Sequence, residues 1–447
     1  MTKEITNQEL AQFEQNFKDT PASSAIKNAI ATNGLYNASR TMNSQVEMDQ
    51  TFSVEIETGK VADQKQSGLC WVFAALNTMR HPLQDKFKIK GFELSQGYMM
   101  FWDKLEKSNY FLENAINTAA LPTGDRKVDF LMATPQQDGG QWDMIMALVQ
   151  KYGVVPKSVM PDTFSRTQSA QLNKVLNAKL RKDAIVLRDL VDQNKSDDDI
   201  QRIKNEMLSE IYKILVYSVG VPPTKFDWSY RDDDKNFHKE TQITPKEFFD
   251  KYIGWDLENY ISTINAPTKD KPYNEVYTVE MLGNVVGGRE VRHLNLEIED
   301  FKSLAVKQLQ AGEGVWFGSD VGQSSNSKLG IMDTKLYDLS GLLATDLTLT
   351  KAERLDYIDS MMTHAMVITG VDLDDNGKPL KWKVENSWGE KVGSKGYFVM
   401  SDEWFDEFVY QLVISKKYLT DTQKEIFENG AKNPKVLAPW DPMGALA

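Results

Sequence analysis

Gln64-Lys65-Gln66-Ser67-Gly68-Leu69-Cys70-Trp71 sets a thiol directly after a Ser-Gly turn and at the head of an apolar run containing Trp71, Phe73, Ala74, Ala75, Leu76 and Met79. The run leaves little polar face, so it reads as a buried helix over 70–81 with Cys70 in its first turn. A cysteine there meets unpaired backbone N–H groups and the positive end of the helix dipole, and both favour the thiolate, the nucleophilic form. A lone cysteine can equally be a small packed hydrophobe. The choice turns on whether a base stands elsewhere in the chain.

Cys70 is the one cysteine in 447 residues, and there are four histidines. A single thiol excludes an intramolecular disulfide framework and a cysteine-rich metal cluster, and it fits a reducing compartment, here the cytoplasm. Nothing in the sequence asks for a metal or another cofactor. With 52 basic and 64 acidic side chains the net charge is −12, which argues against general attraction to nucleic acid or anionic lipid. No apolar run approaches the roughly 18 residues of a membrane span, and residues 1–15 lack the apolar core of a signal peptide.

Three histidines sit in unpromising places: His81 before Pro82 at the expected end of the Cys70 helix, His238 in the charged stretch 231–239, and His293 beside charged residues in 287–295. His364 instead opens His364-Ala365-Met366-Val367-Ile368-Thr369-Gly370, a strand start, where a ring is held rigidly. Val384-Glu385-Asn386-Ser387-Trp388-Gly389 follows a second β-type run. If the two strands pair, Asn386 lies beside His364 and fixes its tautomer, giving a Cys–His–Asn constellation.

Away from these segments the first part of the chain is helical in pattern. Thr6-Asn7-Gln8-Glu9 is a capping box followed by Leu10, Phe13 and Phe17 at helical spacing, and a second helix over 24–33 closes on Gly34. The middle, 85–260, is dominated by helices, among them one capped by Ser196 and stopped by Gly220 and another opened by Thr244-Pro245-Lys246-Glu247. Residues 51–57 alternate as a short strand would. The last third carries short β-rich runs at 315–317, 365–371, 382–384 and 397–400. Helices first and strands later make an α+β protein, and the length corresponds to about three domain-sized pieces.

Gln64 to Trp71, His364-Ala365 and Asn386-Ser387-Trp388-Gly389 resemble, in this order, the three signatures of papain-type cysteine peptidases. Asp138-Gly139-Gly140-Gln141-Trp142-Asp143, the stretch VWFGSDVG at 315–322, Lys351-Ala352-Glu353-Arg354, Met362 to Met366 and the closing residues 440–447 resemble the bleomycin hydrolase and bacterial aminopeptidase C branch. The resemblance spans essentially the whole chain. It implies a papain-like α+β fold, one helical lobe and one β-barrel-like lobe, enlarged by helical insertions. The expected divisions are an N-terminal arm over 1–50, a helical lobe with Cys70 over 51–260, a β-rich lobe with His364 and Asn386 over 261–430, and a C-terminal arm over 431–447 that reaches the cleft.

The same resemblance implies roles. Cys70 would be the nucleophile, His364 the base and Asn386 its orienting partner. Gln64, six positions before the cysteine, would complete an oxyanion hole with the Cys70 backbone N–H. Trp388 would cover the His364–Asn386 bond. Gly139 and Gly140, which alone read as a turn, would let a substrate backbone align as an added strand. Ala447 would meet the substrate's α-amino group at the end of the cleft, so that residues leave one at a time. Asp320 in the VWFGSDVG stretch reads as structural. The implied protein is a cytosolic, broadly specific, bleomycin hydrolase-like aminopeptidase for peptides, acting through a thioester acyl-enzyme and assembled as a homohexamer. An endopeptidase on the same scaffold and a non-catalytic binding protein that keeps the fold are the alternatives.

Overall fold

Two hydrophobic cores organise the chain, one among helices and one around a large sheet. The computed structural model describes residues 3–447. In the helical part, Cys70–Phe87 lies at the centre, packed against Gln96–Asn117 and Trp142–Tyr152, while Ala170–Asp192 and Asp197–Val219 pack on Gln96–Asn117 and on each other. Leu172, Leu176, Leu180 and Leu187 from one long helix, and Ile200, Met207, Ile211 and Leu215 from the next, supply the buried stripes that helical spacing dictates. Ser95, Asp125 and Ser196 cap their helices by accepting from the backbone N–H of Tyr98, Lys127 and Asp199.

Three local expectations are corrected. The Cys70 helix does not stop before Pro82 but runs on to Phe87; burying Leu83 on the following turn outweighs the one lost N–H bond. The strand expected over 51–57 shrinks to Val54–Glu55, opposite Val371 and Gly370, with Ile56 N donating to Thr369 O at 2.8 Å just beyond it. In a middle expected to be dominated by helices, the charged stretch holding His238 lies in a hairpin, Phe226–Arg231 with Phe237–Ile243, whose Phe226 and Trp228 turn inward.

The other strands form one sheet whose spatial order is Lys435–Leu437, Glu275–Val279, His293–Asn295, Tyr260–Ile264, Val409–Ser415, Val315–Ser319, His364–Leu373, Pro379–Glu385, Tyr397–Ser401, Ile331–Met332 and Ser325–Asn326, with Val54–Glu55 also on the His364 strand. His364–Leu373 is therefore internal, antiparallel to both neighbours. The Cys70 helix packs against this strand, which brings the two chemically distinctive segments together. The helix Asn7–Asp19 forms with its capping box intact yet buries no residue. Among the described residues no helix is long and apolar enough to cross a membrane.

Candidate active site

Cys70 is the first residue of its helix and is buried. Burial pushes its thiol up to about 11, opposed by the backbone N–H groups of Ala365, Trp71 and Cys70 itself, while the charge of Asp138 adds to the rise. The contact with Ala365 puts the sulfur beside the first peptide of the His364 strand. His364 Nε2 lies 2.9 Å from Asn386 Oδ1. That bond uses one ring nitrogen and leaves Nδ1 as the other. Burial lowers the His364 imidazole to about 4, and the bond to Asn386 partly restores its proton affinity. The register that makes this possible is antiparallel, with Val367 opposite Glu385, so the start of one strand meets the residue after the end of the other.

Trp388 stacks at a tilt over His364, 4.8 Å between ring centroids, and its other neighbour Phe398 holds it edge-on. Gln64 is buried; its amide Nε2 donates to Ser67 O at 2.7 Å and its Oε1 accepts from Ser387 Oγ at 2.6 Å. One amide N–H of Gln64 is engaged in that turn, so a single N–H is left for another acceptor.

Gly139 and Gly140 form an edge already occupied by the chain's own last residues. Gly140 N donates to Ala447 O at 3.1 Å and Ala447 N donates to Gly140 O at 3.3 Å, the reciprocal pair of two antiparallel strand residues. Gln141 Nε2 donates to Ala445 O at 2.6 Å, and Ala447 is buried. A side chain at Gly139 would meet Ala447 O at 2.8 Å and Leu446 Cβ at 2.9 Å; one at Gly140 would strike the Trp71 ring at 2.5 Å. Beside the tail lies a cavity of about 380 Å³ walled by Phe111, Leu282, Trp440 and Leu446 among others.

Sequence reasoning missed two buried charge clusters here. Asp138 pairs with Lys104 at 2.7 Å, and Lys107 pairs with Asp103 at 2.7 Å while donating to Gly139 O at 2.7 Å. The available signal was Lys104 itself, a lysine on the apolar stripe of Met100, Phe101 and Phe111. The second cluster joins Glu385 to Arg80 at 3.0 Å and to His81 Nε2 at 3.1 Å. Burial pushes the Glu385 carboxyl up, but His81 and Arg80 outweigh it and hold it low. His81, expected merely to end a helix, thus bridges to the residue before Asn386. His293 is a core residue, bonded to Ser262 Oγ at 2.7 Å and lowered to about 4 by burial. Asp320 accepts from Ser360 Oγ at 2.8 Å and Thr363 Oγ1 at 3.1 Å, anchoring the turn before His364.

A family model described as Peptidase C1-like matches residues 4–444. The chain is 57% identical to aminopeptidase C of Lactobacillus helveticus, covering 100% of this chain and 99% of that protein. It is 51% identical to aminopeptidase C of Listeria monocytogenes, covering all of both. The crystal structure of PepW from Lactobacillus rhamnosis HN001 superposes with a TM-score of 0.99 at 64% identity, over 100% of each chain.

Proposed function

The chain belongs to the Peptidase C1-like family, as a cysteine peptidase of papain-like α+β fold, and on that premise we propose that it releases single residues from the free amino ends of peptides. Cys70 is the nucleophile and His364 the base. Burial drives each group alone toward its neutral form, but moving one proton from sulfur to ring makes two opposite charges that stabilise each other. The thiolate attacks the carbonyl carbon of the first residue; the Cys70 backbone N–H and the Gln64 amide receive the oxyanion. His364 then gives its proton to the leaving amine, and water, deprotonated by His364, releases the acyl group from the thioester. Asn386 keeps the ring oriented and Trp388 shields that bond.

The observation that carries the aminopeptidase reading is the pairing of Ala447 with Gly140. A longer peptide cannot lay its backbone along an edge the tail already uses, so we read the space beside Cys70 as room for one residue, with the Ala447 carboxyl group as the counter-charge for its α-ammonium. Peptides of broad sequence are the substrates, and a cytosolic location follows the single unpaired thiol. We assign the apolar side chains of the uncovered helix Asn7–Asp19, Leu10, Phe13 and Phe17, each about half exposed, to contacts between copies in a homohexamer; native mass measurement tests it.

The test of the activity compares one peptide with a free and with an acetylated amino end. Hydrolysis of the free form alone, abolished by alkylating Cys70, is expected. Equal rates on both peptides mean an endopeptidase, and hydrolysis that survives alkylation removes Cys70 from the mechanism.

A further inference from the structure

We propose that Asp138 is a positioning residue for the peptidase reaction: its carboxylate binds the segment leading into Cys70 to the Gly139–Gly140 edge, holding nucleophile and substrate-aligning edge in register. This rests on the reading of Cys70 as nucleophile.

Four donors converge on two oxygens. Gly68 N, two residues before Cys70, donates to Asp138 Oδ2 at 3.1 Å, and Ser169 Oγ donates to the same oxygen; Asn173 Nδ2 donates to Oδ1 at 2.9 Å, and Lys104 Nζ lies 2.7 Å from Oδ1. The backbone of Asp138 adds a second tie, accepting from Trp71 Nε1 at 2.7 Å. Residues on both sides of Cys70 are therefore held by one residue that immediately precedes Gly139. Lys104 and Lys107 fix the far side of the same loop through the carbonyls of Gln137 and Gly139.

The chemistry demands a carboxylate. Burial works against the charge, yet the Lys104 ammonium and the hydrogen bonds from Ser169 and Asn173 hold the acid well below the ordinary carboxylate range. An amide has one acceptor oxygen, so asparagine would turn its NH₂ against two of the four donors. The geometry also admits no slack: a side chain on Gly68 would come within 2.9 Å of Asp138 Cβ.

The experiment uses the full-length Asp138→Asn protein, with three readouts: kcat/KM on an aminoacyl anilide, the rate of Cys70 alkylation by iodoacetamide, and the melting temperature. Displacing the oxyanion segment from the Gly139–Gly140 edge lowers kcat/KM about ten- to a hundred-fold, while iodoacetamide, which uses neither, reacts at least as fast as with the parent. Asn173→Ala, which withdraws one donor, gives the same split with a loss of about three-fold and serves if Asp138→Asn does not fold. Unchanged hydrolysis, or hydrolysis and alkylation falling in step, overturns the assignment. If alkylated parent enzyme still hydrolyses the anilide, the nucleophile reading fails first and this one with it; if the parent is inactivated but Asp138→Asn hydrolyses normally, only the role of Asp138 fails.

Discussion

Ala447 and Gly140 exchange both of their backbone hydrogen bonds, so the chain's own tail stands where an added strand would stand. Removing Leu446 and Ala447 uncovers the edge. The shortened enzyme is expected to hydrolyse an acetylated peptide that the parent rejects, and to lose at least ten-fold in kcat/KM on a free aminoacyl anilide, because the amino group has lost its partner. Steady-state kinetics on the two substrates checks both halves.

The two glycines of this edge separate in their effects. Gly139→Ala pushes against Leu446 and Ala447, a tail that can move, and is expected to relax the requirement for a free amino end with little change in melting temperature. Gly140→Ala pushes into the indole of Trp71, which is fully buried and hydrogen-bonded to Asp138 O. Overpacking of this kind costs about 1–3 kcal/mol, so thermal unfolding should shift for Gly140→Ala and hardly at all for Gly139→Ala.

Glu385 faces Arg80 and His81 without access to water. Glu385→Gln leaves the Arg80 charge buried and unpaired, and breaking a buried pair this way costs roughly 3–5 kcal/mol. Denaturant unfolding of the variant measures it. The cluster ties the Cys70 helix to the residue preceding Asn386, so kcat should fall along with stability.

Asn386 raises the proton affinity of His364, against the burial that lowers it. The rate should be bell-shaped in pH, since attack needs one shared proton on the Cys70–His364 pair: the acid limb is gain of a second proton and the alkaline limb loss of the last. Asn386→Ala removes a contact that favours protonation. The alkaline limb of its residual activity, where the imidazolium loses its proton, is therefore expected at lower pH than in the parent, read from kcat/KM across a pH series.

His293 stays neutral in the fold down to about 4, against an ordinary 6.5, because of burial. Between those values the unfolded chain binds a proton that the folded one refuses. Stability from this ring is thus complete above pH 6.5 and drains as pH falls toward 4, by up to about 1.4 kcal/mol per pH unit. His293→Gln should flatten the acid side of the melting-temperature profile relative to the parent.

What could be read in advance was local. The capping boxes at Thr6–Glu9 and Thr244–Glu247 form as spaced, and the strand opened by His364 pairs with the run that ends just before Asn386. Strands Tyr260–Ile264 and Val409–Ser415 escaped because each pairs with the other from far along the chain, a partnership that no local pattern announces. The buried clusters around Asp138 and Glu385 escaped for a different reason. A charged residue in a sequence reads as a solvated one, and what makes these exceptional, a ring of donors drawn from separate helices and loops, exists only once the chain has folded.

The internal position of the His364–Leu373 strand bears on motion. From Val367 onward its backbone is paired on both edges, to Val315–Ser319 and Val54–Glu55 on one side and to Pro379–Glu385 on the other, and His364 itself is paired with Ser319, so the imidazole rides on a strand anchored within the sheet. Residues 445–447 are held by the Gly140 pair and the Gln141 amide. Opening the cleft at the tail breaks these three hydrogen bonds, whereas moving the His364 ring means unpairing a strand inside the sheet.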